Sequence, residues 1–191
     1  MEKNRCTWCG SDPLYIEYHD TEWGVPLHDD QQLFEFLTLE TFQAGLSWIT
    51  VLRKRENFRR AFDNFDFNTV AAYGESKVEE LLQDVGIIRN KLKIRAAISN
   101  AQAFIQVREE FKTFDHYIWG FVNQKPIQNN FQSMSDIPAA TDLATVISKD
   151  LKKRGFKFVG PTVIYAHMQA TGMVNDHVVS CFRYKEVQKV D

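Results

Sequence analysis

Long apolar runs are missing from this 191-residue chain. Nothing in it approaches the roughly 20 consecutive apolar residues of a bilayer-spanning helix. The opening Met-Glu-Lys-Asn-Arg-Cys carries no apolar secretion segment. No membrane association is expected, and the cytoplasm is the expected location. Cysteine is scarce too. Three thiols in a reducing compartment point to metal ligation or free cysteines and away from a disulfide frame. Neither sign of charge dominates: 23 Lys and Arg against 25 Asp and Glu leave a net charge of −2. This excludes a uniformly cationic surface with a global pull on nucleic acid. Strand-type alternation, internal repeats and low-complexity stretches are absent as well, so an all-α fold is predicted in one domain spanning 1–191.

What is abundant is aromatic and locally basic. Fifteen Phe, six Tyr and four Trp supply a large core. Arg and Lys gather at 53–60, 89–95 and 152–157. Such clusters are ordinarily solvated helix faces, but three that converged would make a phosphate-binding surface.

The helix signals are clear. Asp12-Pro13 opens a first helix, and Asp29 or Asp30 opens a second that runs to about Phe42. Ser47 opens a third carrying Trp48, Val51, Leu52 and Phe58. Ser76-Lys77-Val78-Glu79 reads as a capping box for a helix from Lys77 to about Asp84. After the Val85–Asn90 link comes a long helix, followed by another from Phe114 to Val122. Residues 123–138 read as irregular, and further helices start at Thr141 and Pro161.

Four places carry chemistry. In the second helix the apolar positions Leu33, Phe36 and Leu37 lead at helical spacing to Glu40. A carboxylate there must pair with a cation, reach solvent, or await a ligand. Cys6 and His19 near the start, with His177 and Cys181 four apart near the end, offer a Cys₂His₂ set suited to tetrahedral zinc. Buried thiols and satisfied histidines would look the same, and Cys9 adds a rival C-x-x-C with Cys6. The turn containing Gly86, Ile87 and Arg89 can present backbone N–H groups to a phosphate, or simply join two helices. Trp8, Tyr15, Tyr18, Trp23 and Trp48 are either core or a set of rings able to grip a flat cation beside Glu40.

Taken together, Asp12–Ile16, Tyr18–Pro26, Gln43–Leu52, Val85–Arg89, Lys152–Gly160 and Val174–Val178 resemble the bacterial 3-methyladenine DNA glycosylase I family, of the helix-hairpin-helix superfamily. The resemblance runs nearly end to end. It implies a single glycosylase domain, with its hairpin at 77–104 on the DNA backbone and its termini, 1–24 and 173–191, stapled by structural zinc on Cys6, His19, His177 and Cys181. It implies a monomer in the bacterial cytosol, at the nucleoid when acting, that flips 3-methyladenine out of double-stranded alkylated DNA and hydrolyses its glycosidic bond without lyase chemistry. Glu40, Tyr18 and Trp48 would then line the base pocket, with Tyr15, Trp23 and Trp8 nearby. Leu46 would be the wedge, Gln43 and Gly45 would lie on DNA beside it, and Gly86, Ile87 and Arg89 would hold the backbone. One departure stands out. Where many superfamily members carry a catalytic Asp before this His motif, the chain has Asn175. That keeps a non-catalytic damage-binding protein as the alternative.

Overall fold

A computed structural model describes residues 3–43 and 45–189. Eleven α-helices among them confirm the all-α expectation: α1 Pro13–Thr21, α2 Asp30–Gln43, α3 Trp48–Leu52, α4 Arg55–Ala61, α5 Phe67–Ala71, α6 Glu75–Gln83, α7 Lys91–Phe111, α8 Phe114–Gly120, α9 Asp142–Lys153, α10 Pro161–Ala170 and α11 Phe182–Val187. None is long and apolar enough to cross a membrane.

Side-chain caps set most helix starts. The Asp12 carboxylate accepts from Leu14 N and Tyr15 N ahead of Pro13, and Asn90 does the same for Leu92 N and Lys93 N at the head of α7. Thr113 and Thr141 cap α8 and α9. Three expectations need correction. The supposed box at Ser76 does not cap; α6 starts at Glu75 behind Gly74. The helix after Ser47 is two helices, broken at Arg53–Lys54, and the Ser47 hydroxyl bonds Thr50 Oγ1 instead of a backbone N–H. A minimal parallel sheet also forms, β1 Ile127–Gln128 against β2 Val174–Asn175. Two residues per strand leave no alternation to read, so sequence gave no warning.

α2 is the axis of the molecule. Every residue from Leu33 to Phe42 is buried, and α3, α7, α8 and α10 all pack on it. A helix enclosed on all sides has no solvent face along which a polar side chain could escape. α10 also packs on α9, and α5 on α7, completing a two-sided wrap. β1 pins the irregular 123–138 segment beside the stretch leading to His177. The chain ends meet, with Phe182 N donating to Asn4 O at 2.9 Å and Asn4 Nδ2 to Ser180 O at 2.7 Å.

The turn after α10 brings Gly172 against the 25–26 backbone at φ +71°, where an added Cβ would stand 2.4 Å from Val25 C and Pro26 N. Neither the conformation nor the space admits a side chain. Gly172→Ala is expected to destabilise the fold by about 3 kcal/mol, readable as a lower denaturant midpoint at unchanged m-value.

Candidate base-binding site and metal cluster

The helical core leaves one cavity of about 320 Å³ lined by Trp8, Tyr15, Tyr18, Trp23, Glu40, Gln43 and Trp48. The size suits a small heterocycle. α1 supplies the two tyrosines from one face, α2 supplies Glu40 and Gln43, and α3 starts with Trp48. The rings form a continuous wall: Trp8 lies 4.9 Å from Tyr15 and 5.0 Å from Trp23, and Tyr18 lies 5.6 Å from Trp48. Every expected pocket residue is therefore present. Sequence reasoning missed the rest of the lining: Met134, Ile137 and Pro138 of the irregular segment, and Thr162, Tyr165 and Gln169 of α10. The i, i+3 and i, i+7 spacing of the last three marks one helical face and was the available signal.

Two buried glutamates on α2 have opposite surroundings. Glu35 is saturated with cations: Arg55 Nε donates to it at 2.5 Å and Arg59 Nε at 3.0 Å. Glu40 is 4% exposed, its Oε2 has no partner, and among the described residues no cation pairs with it. Burial alone pushes its carboxyl up to about 8. Trp8 Nε1 and Trp48 Nε1 are also buried without partners. Buried polar atoms are almost always bonded, so three orphans in residues around one cavity point to a ligand with both donors and acceptors.

At the cavity edge the chain turns through Gly45, at φ +84°, to Leu46, which is 41% exposed. The turn holds this apolar side chain out toward solvent. Ala44 lies outside the described residues.

The basic clusters are mostly consumed internally. Arg53 pairs with Asp12, Arg55 and Arg59 with Glu35, Arg95 with Glu75, and Arg154 with Glu110 and Asp150. Arg95 and Lys157 do meet, lining one shallow groove with Leu92 and Phe158. The two residues expected at the DNA backbone beside Arg89 are partly engaged within the protein. Ile87 is buried, and the Gly86 N–H donates to Asp84 Oδ1 at 2.7 Å, while Asn90 caps the start of α7. That turn therefore has few N–H groups left for a phosphate. Arg89 is exposed at its rim.

Cys6, His19, His177 and Cys181 come together, all buried, with ligand atoms within 4.8 Å of one another. His177 and Cys181 reach the cluster from the turn before α11 and not from a helix, as their spacing had suggested. Cys181 Sγ stands 3.5 Å from His19 Nε2 and 3.6 Å from His177 Nδ1, and Cys6 Sγ stands 3.6 Å from His177 Nδ1. Tetrahedral ligands at about 2.3 Å for sulfur and 2.0 Å for nitrogen stand roughly 3.5 Å apart, so these four fit one metal ion. Both rings are turned by outer partners, His19 Nδ1 toward Asp20 at 2.8 Å and His177 Nε2 toward the Trp23 carbonyl at 3.0 Å. Cys9 is outside the set; its thiol donates to Cys6 O.

Asn175 faces inward and is fully employed. Its Nδ2 donates to Gln128 Oε1 and Tyr184 O, and its Oδ1 accepts from His177 N. It does not line the cavity.

The model of the methyladenine glycosylase family matches residues 8–184. The chain belongs to the methyladenine glycosylase family. Among its relatives, DNA-3-methyladenine glycosylase 1 of Escherichia coli K12 is 54% identical over 180 residues, covering 94% of this chain and 96% of that protein. The DNA-3-methyladenine glycosylase of Haemophilus influenzae is 45% identical, covering 93% and 96%. A solved structure of 3-methyladenine DNA glycosylase I from Staphylococcus aureus, described as the structural basis of 3-methyladenine recognition, superposes at a TM-score of 0.91 with 36% identity, covering 94% and 96%. This family member is an enzyme of the glycosylase type.

Glu40 also makes a prediction about stability. The unfolded chain releases this proton near 4.5 and the folded protein near 8. Below pH 4.5 both states are protonated and the carboxyl has no effect. Above it the unfolded chain ionises first, so folding loses stability as pH rises, up to about pH 8. Glu40→Gln is therefore expected to melt progressively above wild type between pH 5 and pH 8; parallel melting curves across that range would refute the assignment.

Proposed function

We infer that this protein is a DNA-3-methyladenine glycosylase, hydrolysing the N-glycosidic bond of 3-methyladenine in alkylated DNA and leaving an abasic site. The observation that carries the reading is the orphaned carboxylate of Glu40 in an aromatic cavity, in a chain aligned nearly end to end with enzymes of that name.

The chemistry suits the site. Methylation at N3 makes adenine in DNA a cation. Water adds to the sugar C1′ and gives up a proton to solvent, the C1′–N9 bond breaks, and its electron pair passes to the base, which leaves neutral. A leaving group that cancels its own charge needs no general acid, so a site with an amide at 175 remains competent. What the protein must supply is extrusion and selection of the base. Tyr18 and Trp48 are positioned to hold its faces, with Tyr15, Trp23 and Trp8 behind them, and Glu40 to accept from its exocyclic amine. The wedge would be Leu46, with Gln43 and Gly45 against the duplex and Arg89 on a phosphate.

The helix-hairpin-helix that grips the DNA backbone is then the α9–α10 unit. Lys152 and Lys153 at the end of α9 and Lys157 in the connecting residues 154–160 are exposed, and α10 starts behind Gly160 with no side-chain cap on its N–H groups. Zinc is the metal we assign to Cys6, His19, His177 and Cys181. A closed, four-ligand site has no open position for substrate, so its role is structural. It would staple the 1–24 and 173–191 segments of a single domain, working as a monomer on double-stranded DNA in the bacterial cytosol, at the nucleoid. Cys181→Ser is expected to lower bound zinc from one equivalent toward zero and to lower Tm by at least several degrees, both measured on one sample.

Function is tested by chromatography of bases released from N-methylated DNA. Free 3-methyladenine should be released, with kcat/KM rising as pH approaches the ionisation of Glu40 near 8. Glu40→Gln should lose at least ~10-fold and the pH dependence with it. Binding to methylated DNA without release of base would instead establish the damage-binding alternative.

A further inference from the structure

Asp176 is fully buried one residue beyond Asn175, and among the described residues it has no ion-pair partner. Neutral donors hold it. Asn129 Nδ2 donates to Oδ1 at 2.7 Å, Gln169 Nε2 donates to Oδ2 at 2.7 Å, and the Tyr165 hydroxyl also donates to Oδ2. Burial, then the bond to Asp176, pushes the Tyr165 phenol up, so it keeps the proton it donates. A carboxylate left buried without a cation is costly. Glu35 shows that this fold supplies arginines to a buried carboxylate where the charge is only structural.

Tyr165 and Gln169 lie four apart on α10, and both line the cavity containing Glu40. A hydroxyl has one proton, and Tyr165 spends it on Asp176. An amide can turn either way, and an acceptor-only partner fixes its nitrogen toward Asp176 and its oxygen away. We propose that Asp176 is a positioning residue for the base pocket: it orients Tyr165 and Gln169 so that they offer acceptors to the base, and it sets a negative charge behind that part of the wall. The cavity is thereby biased toward a cationic base with exocyclic N–H donors and against a neutral purine of the same shape. This rests on the glycosylase reading.

The test separates charge from shape. Two duplexes are used, one carrying 3-methyladenine and one carrying 3-deaza-3-methyladenine, a neutral isostere. Release of 3-methyladenine by the wild-type protein is the control, and its failure would sink the glycosylase reading itself. In Asp176→Asn, the single-turnover rate at saturating enzyme should fall at least ~10-fold, well beyond the loss of affinity for the neutral isostere, which keeps the exocyclic amine but not the charge. A residue that merely held the fold would lower both together. Equal losses, or an unchanged rate in a folded variant, would overturn the proposal. Should Asp176→Asn fail to fold, Gln169→Met leaves the carboxylate in place and removes only the oriented amide. It is expected to slow excision at least ~3-fold and to weaken isostere binding by a similar factor, because the isostere keeps the exocyclic amine, and a wild-type rate in this variant would overturn the proposal.

Discussion

The structure turns on a carboxylate that is buried and left without a counter-ion. Glu40 sits on the buried stretch of a helix and faces only the cavity, and the nearby arginines Arg55 and Arg59 are spent on Glu35, five residues earlier. A buried, unpaired carboxyl whose ionisation burial pushes up to about 8 is tolerated only where its environment gains something in another state, because an apolar side chain in its place would be more stable. Here the gain is affinity for a cation that comes from outside. The surroundings follow from that constraint. Rings line the cavity because they present negative faces to a cation without supplying a competing positive charge, and the wide spread of apolar burial in α2, α7 and α10 provides the stability to carry the cost.

The pocket and the Cys₂His₂ cluster are one construction. Trp23 stacks edge-on 4.7 Å from His177, and its carbonyl lies 3.0 Å from that ring's Nε2. Trp8 lies 5.3 Å from His19. The same two indoles line the cavity on their other side. Holding the four ligands together therefore fixes two of the five rings of the aromatic wall. Small 3-10 and loop segments such as Thr7–Cys9 could not hold a tryptophan in register alone, since short segments near a terminus fray unless tied down.

How much of this was legible depended on the kind of signal. Capped helices with clear period, α1, α2 and α7, were readable because Asp12, Asp29 and Asn90 are chemically committed caps. α6 was misplaced because a capping-box pattern competes with a glycine cap two residues earlier. Glu40 was visible as a polar residue on an apolar stripe. Its lack of a partner was not, since pairing over a distance is a tertiary fact, and the arginines that choose Glu35 are 20 and 24 residues away. The turn at Gly86 read either as a phosphate cradle or as a plain helix connection, and only the fold shows that Asp84 takes the Gly86 N–H. The loop at 129–138 carries no periodicity, so its place at the pocket mouth, set by a two-residue bridge to Val174–Asn175, could only come from the fold.

The amide at 175 clarifies what kind of catalyst this is. Asn175 is locked into the backbone around His177 and Tyr184 and takes no part in the pocket. No carboxylate is thereby aimed at the sugar from that position, so the site has little with which to force a poor leaving group. Neutral adenine is such a group: it would depart with a negative charge needing protonation. The pocket walls offer acceptors and negative charge, which oppose that development. The methylated base departs neutral and is favoured by the same walls before it goes. Discrimination is then achieved without strong chemistry, because a site poor in acid catalysis and rich in acceptors leaves undamaged purines intact even when they enter it.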